Sequence, residues 1–437
     1  MFKPVNSKAS FPLMEENILK LWKEKDIFNK SVENRKGGNR FTLYEGPPTA
    51  NGNPGIHHVL ARVFKDTIPR YKAMKGFYIP RQAGWDTHGL PVELEVEKKL
   101  GFSGKPDIEK YGIAKFNALC RESVFKYLDD WNSLTERIAY WVDLDNAYVT
   151  MNNDYIETIW WAIKQMWDKG LVYHGYRVTP HCPRCGTSLS SHEVALGYKD
   201  DAADPSVHIK FRITQESLTD LEKKLNISLS KPAYLVAWTT TPWTLPGNTA
   251  LAVSPDSEYA VIENNDEYLI LAYARLEPAG LGSNEVLSKL KGDELAGLSY
   301  EPLFNPHKYG IERMRFTMVQ DAPGREHTEL VKQETDISLV YRLIAADFVS
   351  MEDGTGIVHV APAYGEIDYQ AGEQNLLNFV HTVNLEGHIT GSYPFSGKFV
   401  KRADTHILEE LKSRGLLLRS ETIHHTYPFC WRCDTPL

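Results

Sequence analysis

Two Cys-x-x-Cys pairs, Cys182 with Cys185 and Cys430 with Cys433, constrain the folding of this 437-residue chain more than any other feature. Each pair places two thiolates at the spacing of a metal knuckle, and together they supply the four ligands of a closed tetrahedral site. One ion holding all four would bring the ends of the long intervening stretch to one point, as at the base of an insertion. The bland alternative is a pair of surface turns with reduced thiols. Zinc is the expected ion, and an all-thiolate site leaves no open position for catalysis. A disulfide framework is not expected, because five cysteines is an odd count and the polar start Met1–Pro12 lacks a signal-peptide core. Cys120 lies in a helical run and reads as a small buried apolar residue.

The length allows two or three domains. A hydrophobic fraction of 42% and a charged fraction of 24% are ordinary for a globular protein. The net charge of -8 does not advertise a nucleic-acid binder by bulk attraction, so any RNA contact needs a local basic patch. No apolar run approaches the roughly 20 residues that span a bilayer. A cytoplasmic location with no membrane partner is expected.

The first part of the chain alternates short strands and helices. Phe41–Glu45 reads as a strand, Ile56–Met74 as a helix with a kink at Pro69, and Tyr78–Ala83 as a second strand broken by Gly84. Such a βαβ unit implies a parallel sheet. Ile113–Trp141 has helical apolar spacing. Asp154–Lys169 reads as a helix with a capping box of Asp154 and Glu157, and its Trp160, Trp161 and Trp167 read as packing groups. After Asp200 the texture turns to short strands, Ser206–Ile213, Tyr234–Trp238, Tyr259–Glu263 and Tyr268–Ala272, with a helix returning at Lys401–Arg414. The expected fold class is α/β: a Rossmann-like parallel-sheet half (1–180) interrupted by a mostly β insertion (201–397). The zinc base of that insertion is expected at 181–200 and 398–437.

Three blocks carry chemistry. Between the first strand and its helix lies Gly46-Pro47-Pro48-Thr49-Ala50-Asn51-Gly52-Asn53-Pro54-Gly55-Ile56-His57-His58. Ligands of open α/β sheets bind beyond the carboxyl ends of strands, beside helix N-termini. Histidines there can donate to a phosphate gaining charge, or simply face solvent. The second block, Gly84-Trp85-Asp86-Thr87-His88-Gly89-Leu90-Pro91, offers a carboxylate that can pair an ammonium or cap the next helix. The third combines Trp238-Thr239-Thr240-Thr241-Pro242-Trp243-Thr244-Leu245-Pro246-Gly247-Asn248 with Gly354–Pro362, which contains His359, and with Asp368 nine residues further on. Consecutive hydroxyls can hold a ribose edge and a water, and a His with a carboxylate can orient an ester. Alone, the threonines would read as a strand facing solvent and His359 as structural.

Taken together, these blocks resemble the class I aminoacyl-tRNA synthetases for branched aliphatic amino acids, and the second block has the form of the isoleucine branch. The resemblance spans essentially the whole chain. It implies ATP, with Mg2+, L-isoleucine and tRNA(Ile) as partners, a monomer, and hydrolytic editing of mischarged valyl-tRNA. It implies a substrate and ATP pocket from Gly46, Pro47, Asn51, Gly52, Gly55, Gly84, Trp85 and Asp86, with Asp86 on the α-ammonium and His57 and His58 catalytic. It implies an editing site from Thr239, Thr240, Thr241, His359 and Asp368, with Asp368 on the α-ammonium.

Editing has a physical motive. One methylene is worth only about 1–3 kcal/mol in a hydrophobic pocket, a general bound for which isoleucine against valine is the standing example. The chain departs from the family in one place. The usual His-x-Gly-His is Gly55-Ile56-His57-His58, which loses the first histidine and crowds the place where adenine meets glycine. A Lys-Met-Ser-Lys-Ser-type loop and an anticodon-binding region are not found, so the chain is expected to be a fragment that activates amino acid poorly by itself. The competing expectations are a free-standing editing deacylase and a zinc-stabilised RNA-binding module.

Overall fold

The computed structural model describes residues 8–49, 52–172, 175–321, 325–333 and 341–437. The chain divides into two units, Met1–His174 and Gly175–Leu437.

The first unit is built on three parallel strands, Leu43–Tyr44, Arg81–Trp85 and Asp143–Val149, with Arg81–Trp85 in the middle. The helix Ile56–Met74 follows the first strand, as the βαβ reading expects, and runs through Pro69. The first strand is shorter than expected. The second runs on through Gly84 rather than breaking there, because Gly84 pairs with Tyr148 and has no Cβ. A Cβ at Gly84 would stand 2.2 Å from the Tyr148 ring, so only glycine lets the two strands close. The run Ile113–Trp141 is two helices, Ile113–Phe125 and Leu128–Arg137. Trp131 of the second is buried against the sheet, and Thr135, also buried, accepts from Arg62.

Two local expectations fail on the helix Asn153–Asp168. Its N-cap is Asn152, which places Asp154 inside the first turn, so the Asp154–Glu157 box does not form. Trp160, Trp161 and Trp167 are 66%, 63% and 64% exposed rather than packed. No residue of this helix is buried, so its apolar spacing produces an open stripe instead of a core contact.

The second unit centres on a mixed sheet. Tyr198–Arg212 pairs antiparallel with Ala233–Thr239 on one side and Leu417–Pro428 on the other. Ala233–Thr239 pairs parallel with both Glu267–Ala272 and Ile357–Val360, and Ile357–Val360 pairs antiparallel with Ala250–Val253. The four strands expected from alternation are all present; three are one or two residues longer than expected, whereas the first begins eight residues earlier, at Tyr198, and ends at Arg212. Inward residues of this sheet, among them Val207, Ile209, Phe211, Leu235, Leu251, Val261 and Ile270, form the main core. The helix Val400–Ser413 adds Ala403, Ile407 and Leu411 to it. The observed class is therefore mixed α/β: a parallel sheet in the first unit and a larger, strand-rich sheet in the second.

Candidate functional site

In the first unit the Gly-Pro-Pro block leaves the strand Leu43–Tyr44 and passes beside the end of Arg81–Trp85. Thr49 bridges Asp86 in parallel register, and its hydroxyl donates to Asp86 Oδ2 at 3.0 Å. The Asp86 amide donates to Pro48 O at 3.1 Å. Asp86 does not cap the next helix, Leu90–Leu100, whose N-cap is Gly89. The carboxylate thus sits at the carboxyl end of the central strand, against the loop holding Gly46 and Pro47. Of the expected residues here, Asn51 lies outside the described ones. Gly52 is held by its carbonyl, which accepts from Trp131 Nε1 at 2.8 Å.

His58 reaches back over the helix start, and its Nδ1 accepts from the Gly55 amide at 2.9 Å. Nδ1 is therefore the acceptor, and the neutral ring carries its proton on Nε2. Burial, His57 and Arg62 together hold the His58 pKa below the ordinary histidine value, which favours that neutral form. The ring also meets Trp131 edge-on at 4.6 Å and His57 at 3.8 Å. Arg62 lies buried behind Trp131, 5.0 Å from its ring centroid. Glu45 is likewise buried; it accepts from Lys65 at 2.7 Å and from the Tyr140 hydroxyl.

In the second unit Thr239 ends the strand Ala233–Thr239 and is buried, whereas Thr240 and Thr241 are half-buried. The chain then turns through a 3-10 helix, Pro242–Gly247. Thr239 Oγ1 lies 3.3 Å from Thr241 Oγ1 and accepts from the Thr241 amide at 3.1 Å. Thr241 Oγ1 lies 3.4 Å from Thr244 Oγ1, which in turn donates to Thr241 O at 2.8 Å. His359, buried on the strand Ile357–Val360, places Nε2 at 2.8 Å from Thr244 Oγ1 and Nδ1 at 3.3 Å from Asn248 Nδ2. The Thr244 proton is already directed to a carbonyl and Asn248 Nδ2 can only donate. One neutral tautomer, with the proton on Nε2, satisfies both contacts. Burial agrees, pushing the His359 pKa down to about 4. Asn248 Oδ1 accepts from the buried Tyr300 hydroxyl at 2.7 Å. The result is a line of hydroxyls fastened at one end to an uncharged imidazole.

Asp368 stands in the first turn of the helix Glu366–Asn375, and its Oδ2 accepts from the Ala361 amide at 3.2 Å, two residues beyond His359. Burial lifts its pKa to about 6, and the Ala361 amide opposes the shift. Tyr364, between His359 and Asp368, packs edge-on against Trp243 at 5.0 Å. It also crowds Gly247, where a Cβ would lie 2.6 Å from its ring. Both parts of the third block therefore share one wall. Thr244 and Asn248 lie within the third block, and their polarity amid prolines and apolar residues is the signal by which the sequence could have revealed them. Tyr300 and Trp131 carried no such signal.

The four cysteine sulfurs of Cys182, Cys185, Cys430 and Cys433 all lie within 4.8 Å of one another. Cys182 to Cys433 and Cys185 to Cys433 are each 3.5 Å. A tetrahedral ion with sulfurs at about 2.3 Å needs edges near 3.8 Å, so this set could hold one metal ion. Arg432 and Trp431 from one knuckle both reach Glu193, which follows the other, and Lys199 pairs with Asp434 at 2.6 Å. These links tie the two knuckles together around the sulfurs.

The sequence matches the family described as tRNA synthetases class I (I, L, M and V) over residues 17–371. It is 64% identical over 441 residues to an isoleucine–tRNA ligase of Dehalococcoides mccartyi, across 100% of this chain and 42% of that protein. It is 49% identical over 443 residues to an isoleucine–tRNA ligase of Thermus thermophilus, across 100% of this chain and 38% of that protein. The chain thus spans about two fifths of the length of these relatives. Among solved structures, the P. knowlesi cytosolic leucyl-tRNA synthetase editing domain aligns with 52% of this chain and 97% of that one, at 14% identity and a TM-score of 0.35. The Gly-Pro-Pro block, the carboxylate beside it and the family match over most of the residues lead to one conclusion: this chain belongs to the class I tRNA synthetases of the isoleucine, leucine, methionine and valine group.

Proposed function

We propose that the chain is the N-terminal part of an isoleucine–tRNA ligase, and that its second unit hydrolyses valyl esters of tRNA(Ile). The observation that carries this reading is the hydroxyl line Thr239–Thr241–Thr244 locked to a neutral, buried His359. An imidazole with both nitrogens engaged and a pKa near 4 is a poor general base at neutral pH. His359 therefore acts by orienting Thr244, and the hydroxyls of Thr239, Thr240 and Thr241 hold the terminal ribose and the attacking water. Asp368, as a carboxylate, pairs the free α-ammonium of the amino acid. A pocket too small for isoleucine then admits only the valyl ester.

In the first unit, Asp86 would hold the α-ammonium of L-isoleucine during activation, beside Gly46, Pro47, Gly52, Gly55, Gly84 and Trp85. ATP enters with its Mg2+, and no residue of this chain is assigned to that ion. His58, with Nδ1 committed to Gly55, presents the Nε2 proton to a phosphate, and His57 stands beside it. Zinc held by the four cysteines would be structural, closing the base (181–200 and 398–437) of an editing domain (201–397) carried by a catalytic half (1–180). The same reading has the protein a cytoplasmic monomer; among the described residues no helix is long and apolar enough to cross a membrane.

Hydrolysis of valyl- and isoleucyl-tRNA(Ile) by this chain tests the reading. Selective cleavage of the valyl ester, lost in Asp368→Ala, is expected. Equal cleavage of both esters, or none by folded, metal-loaded chain, would reject it.

A further inference from the structure

The helix Val400–Ser413 turns Ala403, Asp404, Ile407 and Leu411 inward. Its buried stripe thus carries one carboxyl group among apolar neighbours, and a group so placed needs a hydrogen-bonding partner. The partner is remote in sequence: the Trp243 amide donates to Asp404 Oδ1 at 2.8 Å. Asp404 is 5% exposed.

The Trp243 amide has no local acceptor. It follows Pro242, which has no N–H, and it is the first donor of the 3-10 turn Pro242–Gly247. Thr241, the N-cap of that turn, makes no side-chain cap to it. The turn is entered through Thr241 and carries Thr244, the residue that meets His359. A carboxylate from a distant helix therefore does what the turn's own cap does not.

We propose that Asp404 is a positioning residue for the hydroxyl site: by holding the Trp243 amide it sets the turn that brings Thr244 to His359 and aims Thr241. The proposal rests on reading that site as the hydrolytic one. Two charged groups bear on Asp404, Lys401 from its own helix and Asp204 from the strand Tyr198–Arg212, and these two pair with each other. Lys401, one turn earlier on its helix, donates to Asp204 Oδ1 at 2.6 Å, and His425 Nε2 lies 3.0 Å from Asp204 Oδ2. The Lys401 ammonium also sits 4.0 Å above the Tyr427 ring. Burial first, and then the Asp204 charge, raise the Asp404 pKa to about 7, against the pull of the Trp243 amide and Lys401. The acceptor oxygen survives protonation, so an amide can replace the carboxyl group without losing the bond.

The test compares the chain with its Asp404→Ala, Asp404→Asn, Thr244→Ala and Asp404→Ala/Thr244→Ala variants by two readouts. The first is hydrogen exchange of the segment 241–248. It is expected to speed up about 10- to 100-fold in Asp404→Ala, the scale of leaving one buried donor unsatisfied, and to recover in Asp404→Asn. Amides of Ala250–Val253, in the adjoining sheet, are expected to keep their protection. The second is single-turnover hydrolysis of valyl-tRNA. It is expected to fall by a similar factor in Asp404→Ala, to recover in Asp404→Asn, and to be no slower in the double variant than in Thr244→Ala. Unchanged exchange in 241–248, loosening spread evenly over the unit, or losses that multiply in the double variant would each overturn the proposal. If the parent chain hydrolyses nothing, the hydrolytic reading fails, and the exchange data still decide whether Asp404 holds the turn.

Discussion

The imidazole of His57 lies against the Cα of Gly55: a Cβ at Gly55 would stand 2.7 Å from His57 Cε1 and 2.9 Å from Nδ1. Both deviations from the family's His-x-Gly-His are therefore one packing arrangement, in which a ring at 57 occupies the space that a side chain at 55 would need. Gly55→Ala is expected to push this exposed ring aside at a cost of about 0.5–1.5 kcal/mol, the scale of a forced rotamer change. His57→Ala should abolish that cost. A double-mutant cycle by urea denaturation measures the coupling, and additive effects would show that the two positions are independent.

Gly84 faces a less forgiving neighbour. The Tyr148 ring that a Cβ would meet is pinned by its hydroxyl, which donates to Glu45 O at 2.6 Å, and by stacking on Tyr155 at 5.6 Å. Gly84→Ala is expected to destabilise the first unit by about 1–3 kcal/mol, as overpacking of a close-packed site does. Chemical denaturation reports it, and a neutral result would mean that the strands can separate freely.

Hydrolysis should carry the signature of Asp368. Its carboxylate is the form that pairs an ammonium, and burial sets its pKa near 6. The kcat/KM for valyl-tRNA is expected to fall about tenfold per pH unit below about 6. His359, near 4, adds no ionisation between pH 5 and 8. Stability should move the other way. The folded pKa of Asp368 lies above its unfolded value of about 3.9, so the fold favours the protonated form. That contribution is fully present below about pH 4 and is lost as pH rises through about 6. Asp368→Asn should thus gain stability over the parent as pH rises, while staying inactive. A flat rate profile from pH 5 to 8 would remove Asp368 from the site.

Metal analysis of the purified chain should find one zinc ion per molecule. Cys433→Ser is expected to weaken its retention by more than the roughly 10- to 100-fold that loss of an outer-shell partner costs. Chelation should loosen 181–189 and 428–437 first, because Cys182, Leu189, Val194 and Cys430 form a small cluster separate from the main core. Retention of the ion by the serine variant would assign it to other residues.

What the sequence determined by itself was local or repetitive. Alternating residues marked the strands around Val207, Leu235, Val261 and Ile270, because a strand shows one face to the core every second residue. The knuckle spacing marked the four thiols that come together, since a Cys-x-x-Cys turn brings its two sulfurs close enough to share one ion. The motif blocks singled out Asp86, His58, the threonines, His359 and Asp368 as candidates for chemistry. Helix ends and burial were less legible. Trp160, Trp161 and Trp167 had the spacing of a packed face, and spacing does not say whether anything lies opposite. Only the tertiary structure decided which polar groups meet. Asp404 and Trp243 stand 161 residues apart, and Asn248 and His359 stand 111 apart. Nothing local in either partner encodes the other, because those contacts come from the way the strand-rich sheet and the helix Val400–Ser413 close over a common core. The protonation states followed from the same closure: His359 is neutral and Asp368 is lifted toward neutrality because folding removed water from both.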